Sequence, residues 1–360
     1  MEVSADDQKG WTDTKAVTLK SRDHVEVEET SRPTIQEPSD AIVRVTSSSI
    51  CRTDLKILHG DYQGKGAPKK TGIILGHEGV GIIEEVGSRV KKVKRGSRVV
   101  IFNNTQCGVC FYCLRGIYSS CSNGGFLLGN AISGTQTEFV RVPHAEMGLY
   151  EFPDSLEDED VLHASCISST AFFAVENADL KLGDTVAVFG VGPVGQCVIS
   201  LAKLFGAGTT IAVDTKSSRL ELARKLGADV TINPESEDCI EGLRELTDGH
   251  GVDVSIEAAG LRATYTYALN STRPGGCVSL LGQFRESQEL PIHEILGKNL
   301  RLHWGFCNTN KVPELLRFVQ NGKLNLRQLF THAFPLIEAV RGYEVFENML
   351  DNCMKVVLKP

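Results

Sequence analysis

Four thiols stand close together in Cys107-x2-Cys110-x2-Cys113-x7-Cys121. Thiolates at such spacing can close around one tetrahedral zinc ion with four sulfurs and no open position, a site that holds a fold and does no chemistry. An iron–sulfur cluster and free thiols are the alternatives. The ferredoxin run C-x2-C-x2-C-x3-C-P has a shorter last gap and a proline, and this stretch has neither. Three further groups are dispersed: Cys51 in Cys51-Arg52-Thr53-Asp54, His77 in Gly76-His77-Glu78, and Cys166 in the run from Ser165 to Thr170. Taken singly each is bland, since a lone cysteine is commonly a small buried hydrophobe.

A third pattern is Gly190-Val191-Gly192-Pro193-Val194-Gly195, which fits G-x-G-x-x-G. Its glycines would give a tight turn, a close backbone approach to a pyrophosphate, and close helix–strand packing. Glycine-rich turns are common, so context has to support the motif. An apolar run precedes it and a helical pattern follows, which would aim free N–H groups and the positive end of the helix dipole at phosphates. A second strand pattern, Thr210–Asp214, ends in an acid where a carboxylate accepts both ribose hydroxyls of NAD and repels the 2′-phosphate of NADP. Asp214 could otherwise be a helix N-cap. Arg219 is placed either to reach the adenosine ribose or to stand in solvent on its helix.

The elements that must position these residues change character near residue 160. Before it, short β-branched runs (Ala41–Val45, Val80–Val86, Arg98–Phe102, Glu138–Val142) alternate with Gly, Pro, Asn and Ser clusters, a β-rich pattern. Between about 183 and 305, strands and helices alternate: Thr185–Gly190, Gly195–Phe205, Thr210–Asp214, Ser218–Leu226, Val230–Ile232, Val254–Glu257 and Cys277–Leu281. That alternation predicts a doubly wound parallel sheet, so the fold class is α/β with a β-rich partner domain. The expected domains are 1–165, with the cysteine lobe at 107–121, then 166–305, then 306–360 returning to the first through a closing strand Lys355–Leu358.

The chain has 360 residues and a formal net charge of −7 with its basic residues scattered, so nothing forms the basic stripe of a nucleic-acid binder. No apolar run reaches the ~20 residues that span a bilayer. Met1–Thr14 has no apolar core of a signal peptide and reads as a frayed tail. Eleven cysteines, an odd number, without an export signal argue against disulfides and for metal binding or burial, and the expected location is cytoplasmic. Cys197, Cys239, Cys277, Cys307 and Cys353 are expected to be simply buried.

Taken together, these motifs resemble the zinc-containing alcohol dehydrogenases of the medium-chain dehydrogenase/reductase family, from near Lys15 to the C-terminus. Gly129-Asn130 and Gly134-Thr135-Gln136 are similar to its branch of secondary-alcohol and formaldehyde-dehydrogenase-like enzymes. The resemblance implies a GroES-like β-rich catalytic domain joined to a Rossmann domain, two zinc ions, and NAD. It implies a catalytic zinc held by Cys51, His77 and Cys166, the Cys2His set of alcohol dehydrogenases in general, with the fourth position open. Glu78 would ligate transiently. Asp54 would fix the His77 tautomer, Thr53 would pass the alcohol proton outward, Arg52 and Lys355 would meet the cofactor phosphates, and Thr170 would lie beside the nicotinamide. A homodimer or homotetramer is implied.

Two departures qualify this. Lys56 stands where well-known members carry a histidine at the outer end of the proton relay, and a protonated lysine is a poor base near neutrality. The proton would then leave through ribose hydroxyls and water, or through His59. The run Phe102-Asn103-Asn104-Thr105 suggests a pocket with polar groups. The expected function is hydride transfer between a small alcohol and NAD. The alternatives are an NADPH-dependent aldehyde or enal reductase, a cofactor-binding redox sensor without catalysis, and a zinc-only interaction module.

Overall fold

The strand β3 (Ala41–Ile50) is buried along almost its whole length, although its second half is Thr46-Ser47-Ser48-Ser49. Burying three hydroxyls is tolerable only because each is hydrogen-bonded: Ser47 to Asp158, Ser48 to the Glu78 carbonyl, and Ser49 to the Glu78 carboxylate. β3 sits inside a sheet rather than at its edge. In the computed structural model, which describes residues 13–62 and 71–360, the chain divides into two compact units. One ends at Cys166 and resumes over Asn308–Pro360; the other is Ile167–Cys307.

In the first unit, β1 (Asp13–Ser21), β2 (His24–Ser31) and β4 (Ile73–Ile74) form a small antiparallel sheet in the order β2-β1-β4. β1 begins at Asp13, so Asp13 and Thr14 are ordered strand rather than frayed tail; Met1–Trp11 and Thr12 lie outside the described residues. The larger sheet joins β3, β5 (Gly79–Val86), β6 (Arg98–Ile101), β7 (Phe139–Val142) and β8 (Leu149–Glu151) to two strands of the C-terminal segment, β15 (Phe330–Pro335) and β16 (Lys355–Lys359). Its order is β15-β16-β3-β5-β6-β8, with β7 also pairing β3. β16 runs antiparallel to β3 with Val356 opposite Ile50, and β5 runs antiparallel to β3 with Gly79 opposite Ser48. That register brings the end of β3, the start of β5 and the start of β16 to one place. Behind it lies a core of Val17, Ile50, Leu55, Leu75, Tyr343 and Leu358. Each such side chain fully buried contributes about 1.5–3 kcal/mol.

The second unit is a parallel sheet of β9 (Thr185–Phe189), β10 (Thr209–Val213), β11 (Val230–Ile232), β12 (Val252–Glu257), β13 (Thr272–Leu280) and β14 (Arg301–Trp304). Its order, β11-β10-β9-β12-β13-β14, is the doubly wound 3-2-1-4-5-6 arrangement. β9 reads as a continuous apolar run because both its faces are covered. β14 has no such run, being largely exposed as Arg-Leu-His-Trp, and hydrophobic patterning passes over it. Among the described residues no helix is long and apolar enough to cross a membrane.

Candidate metal centres and nucleotide site

Cys51 is the N-cap of the helix Arg52–Leu58, which begins directly after β3. Asp54, in the first turn, folds back so that its Oδ2 accepts the Cys51 N–H at 2.9 Å, and its Oδ1 lies 3.0 Å from His77 Nδ1. His77 immediately precedes β5, and Cys166 follows the short turn Leu162–Ser165. The register of the sheet brings Cys51, His77 and Glu78 together, and the turn Leu162–Ser165 sets Cys166 beside them; their ligand atoms all lie within 4.8 Å of one another. A hydrogen bond from Cys166 brings the Cys51 thiol down to about 5 against the opposing effect of burial. Burial pulls His77 down, but the Asp54 and Cys51 charges outweigh it and hold the imidazole well above its usual value. Phe126 packs edge-on against the His77 ring, with centroids 4.9 Å apart, which fixes the plane of the imidazole.

Glu78 is fully buried. Its Oε2 accepts from Lys355 Nζ at 2.6 Å and from Ser49, while its Oε1 is buried with no hydrogen-bond partner. An orphaned buried carboxylate oxygen is costly, and a carboxylate oxygen of Glu78 belongs to the group of donors just described. Two thiols, an imidazole and this oxygen fit a zinc ion well. Lys355 is not where the family resemblance puts it. It is 1% exposed, and its ammonium is committed to Glu78 and to the Ile50 carbonyl at 2.8 Å, so it faces a buried carboxylate rather than a cofactor phosphate. Arg52 is exposed at the start of its helix, with its guanidinium 5.8 Å from the Phe346 ring. Thr53 and Lys56 are half-buried on the same helix. Both ring nitrogens of His59 are already engaged, Nδ1 with Asp23 and Nε2 with Glu347, and the Asp23 hydrogen bond raises its pKa, so the ring is poorly placed to take up the alcohol proton.

The loop that carries His77 rests on glycines. A Cβ on Gly134 would come within 1.9 Å of the Gly76 carbonyl, and one on Gly129 within 2.4 Å. Gly129 and Gly134 therefore matter as a close-packed seat for Gly76-His77, with Gln136 against the same loop. Phe102-Asn103-Asn104-Thr105 is buried throughout, and Thr105 is tied to Gly125. Residue types alone did not point to Ser49 or to the carboxylate that Lys355 faces; the run Ser47-Ser48-Ser49 in a buried strand was the available signal for the first.

In the cysteine lobe, Cys121 Sγ lies 3.6 Å from Cys107 Sγ and 3.9 Å from Cys110 Sγ, and the four sulfurs lie within 4.8 Å of one another. Four sulfurs about 2.3 Å from a central zinc would stand roughly 3.8 Å apart, whereas a disulfide requires about 2.05 Å. The lobe fits zinc. Backbone N–H groups near Cys113 and Ser122 bring Cys110 down to about 5, while burial pushes Cys113 up to about 12. Metal binding would take all four as thiolates and release their protons. Gly108 and Gly116, at φ of +76° and +73°, let the chain turn around the sulfurs.

In the second unit the Gly190–Gly195 turn joins β9 to the helix Pro193–Leu204. Gly190 has φ +86°, and a Cβ there would meet Ala259 at 2.6 Å; one on Gly195 would meet the Gly190 carbonyl at 2.1 Å. At Gly192 a Cβ would meet nothing within 4 Å, which is the open side a pyrophosphate needs. Gly192 caps the helix without a side chain and Pro193 opens it, so the turn offers free N–H groups to an anion. The turn abuts the end of β12, where the strand order reverses. Asp214 follows β10; its Oδ2 accepts the Val191 N–H at 2.9 Å, its Oδ1 accepts from Lys216 N, and Arg219 stands 3.6 Å away. Val194 lies in the first turn of the helix, and Thr170 is half-buried in the helix Ile167–Asn177.

Residues 37–154 match the model of the alcohol dehydrogenase GroES-like domain, and residues 193–321 match that of the zinc-binding dehydrogenases. An alcohol dehydrogenase of Cupriavidus necator is 39% identical over 344 residues, covering 90% of this chain and 92% of that protein. Among solved structures, an alcohol dehydrogenase from Thermus sp. ATN1 superposes with a TM-score of 0.89 at 36% identity, covering 96% of this chain and 99% of the other. A zinc-binding dehydrogenase from Sinorhizobium meliloti 1021, solved bound to NADP, gives 0.87 at 29% identity, covering 97% and 99%. The chain belongs to the zinc-dependent alcohol dehydrogenases of the medium-chain dehydrogenase/reductase family. It is an oxidoreductase built from a GroES-like and a Rossmann domain.

Proposed function

We propose that the chain interconverts a small primary or secondary alcohol and its aldehyde or ketone, with NAD as the hydride carrier and with one catalytic and one structural zinc. The observation that carries this reading is the convergence of Cys51, His77 and Cys166, with the buried Glu78 carboxylate beside them. When bound, zinc there supplies a Lewis acid that lowers the pKa of an alcohol oxygen, and the nicotinamide supplies the hydride acceptor. The chain's own residues do the rest. Asp54 holds His77 so that its Nε2 is offered to the metal. Thr53, two residues after Cys51, takes the alcohol proton and passes it outward. Lys355 neutralises Glu78, so that the carboxylate can stay ionised in a buried site. N–H groups at the start of the helix Pro193–Leu204 receive the cofactor phosphates, and Arg52 and Thr170 keep the cofactor roles that the resemblance implies. The Asp214 carboxylate selects NAD by accepting ribose hydroxyls and repelling a 2′-phosphate.

A second reading, NADP as cofactor, is favoured by one observation: Arg219 lies 3.6 Å from Asp214, and a guanidinium suits a 2′-phosphate. The S. meliloti relative bound to NADP is consistent with it. Zinc analysis together with turnover on primary, secondary and polyol alcohols tests the whole proposal. Two zincs per chain and NAD reduction are expected; one zinc and no turnover would overturn it. Asp214→Ser should move the NAD-to-NADP preference at least about tenfold toward NADP, equivalent to about 1.4 kcal/mol. An unchanged ratio would assign selection to Arg219.

A further inference from the structure

We propose that Gln136 and Tyr343 are positioning residues of the three-donor zinc site, joined to His77 by one buried hydrogen-bond chain that starts in the C-terminal segment. The proposal rests on the zinc reading above. The Tyr343 hydroxyl donates to Gln136 Oε1 at 2.7 Å. Gln136 Nε2 donates to Asp54 Oδ2 at 3.2 Å and to the Ser49 carbonyl at 3.4 Å. Asp54 Oδ1 then receives His77 Nδ1. Tyr343, Gln136, Asp54 and His77 are each at most 3% exposed, so water does not substitute for a missing link.

The direction of the chain follows from donor and acceptor chemistry. Asp54 and the Ser49 carbonyl can only accept, so the amide must turn its NH2 toward them and its oxygen toward Tyr343. A flipped amide would set a carbonyl oxygen against a carboxylate. Asp54 Oδ2 is thereby occupied by two donors, the Gln136 amide and the Cys51 N–H. Its other oxygen is left for the imidazole, which must donate from Nδ1 and present Nε2 to the metal. Burial raises Tyr343 well above its usual value, so it remains a phenol and a donor.

Packing fixes both ends. Gln136 is also the floor of the His77 loop: a Cβ on Gly76 would come within 2.5 Å of Gln136 Cγ. Tyr343 lies on the helix Ala339–Glu347, where Gly342 lets the helix press against Ile50 and Val356, a Cβ there meeting both at 3.3–3.4 Å. Gln136 thus touches the metal ligand's partner and the metal ligand's loop at once, and Tyr343 holds the amide in its working orientation.

The test measures zinc release from fully loaded protein to a chromogenic chelator, with the four-cysteine lobe as an internal second phase. Tyr343→Phe removes one oxygen and keeps the ring; Gln136→Met removes the amide at similar length. Both should speed release from the three-donor site severalfold, less than the roughly tenfold or more in affinity that loss of a direct partner of a metal-bound histidine costs, and leave the lobe's phase unchanged. Val345→Ala, a buried packing change on the same helix, should lower Tm and leave both phases alone. Wild-type release rates in Tyr343→Phe and Gln136→Met would overturn the proposal, as would equal acceleration by Val345→Ala, which would make the effect mere loosening. A wild-type protein that binds only the lobe's zinc would instead overturn the reading on which the proposal rests.

Discussion

Lys355→Met isolates a single buried charge. The Lys355 and Glu78 side chains are 1% and 0% exposed and their charged atoms are 2.6 Å apart. At an effective dielectric of about 20 the attraction is roughly 6 kcal/mol, offset by the several kcal/mol each ion loses on leaving water. The pair's net contribution is therefore small, but removing one partner strands the other, and that costs about 3–5 kcal/mol. Met fills similar volume, so little of the loss should come from a cavity. The assay is urea unfolding of metal-free protein at fixed neutral pH, reading the midpoint with m unchanged. The double variant Glu78→Gln/Lys355→Met, which removes both charges, should recover about 2 kcal/mol relative to Lys355→Met. Zinc loading should narrow the gap between Lys355→Met and wild type, because a divalent cation nearby partly replaces the lost ammonium. A loss under about 1 kcal/mol, or a double variant no more stable than the single, would refute the view that Glu78 is held ionised by Lys355.

Two further outcomes follow from the same geometry. Cys107→Ala should cost one zinc per chain and lower Tm by roughly 10 °C, as loss of several kcal/mol does in a domain of this size, while the folded fraction keeps its turnover; lost turnover with Tm unchanged would contradict a structural lobe. His59→Gln should flatten the pH dependence of stability. The Asp23 hydrogen bond, helped by Glu347 and opposed by burial, raises His59 above its unfolded value of about 6.5, so its stabilisation is complete below that pH and is lost as pH rises through the folded pKa. With Asp23, Glu347 and the nearby Arg22 as the facing charges, the variant should be about 1 kcal/mol less stable at pH 6 and closer to wild type at pH 9; equal differences at both pH values would show that His59 is not held as a cation.

The local motifs were legible in the sequence because their chemistry depends on neighbours along the chain. Cys107 to Cys121 encloses its own site, and Gly190 to Gly195 makes its own turn. Strand periodicity likewise located β3, β5, β9 and β10. The grouping of Cys51 with His77 and Cys166 came from family resemblance, since no spacing rule joins them. What could not be read was charge pairing across the sheet. Lys355 looked like a phosphate ligand because a lysine in a late strand carries no mark of the carboxylate it faces. His59, next to the helix of Cys51, looked like a proton outlet because nothing local announces Asp23 or Glu347. β14 escaped because its exposed Arg-Leu-His-Trp lacks an apolar run.

The C-terminal segment shows why such pairings matter more than sequence distance. β16 lies beside β3, so that Val356, Val357 and Leu358 oppose Ile50, Ser49 and Ser48. β3 in turn aligns Ser48 with Gly79. Lys355 must therefore emerge beside the end of β3 and the residue before β5, which is Glu78. The helix Ala339–Glu347, packed on β16, must bring Tyr343 to the other side of the same point. The segment thus supplies two polar contacts to one cluster, an ammonium to Glu78 and a hydroxyl to Gln136. Both are buried where an unpaired partner is costly. Closing the sheet therefore brings Lys355 to Glu78, and loss of β16 should leave that buried carboxylate without its counter-charge.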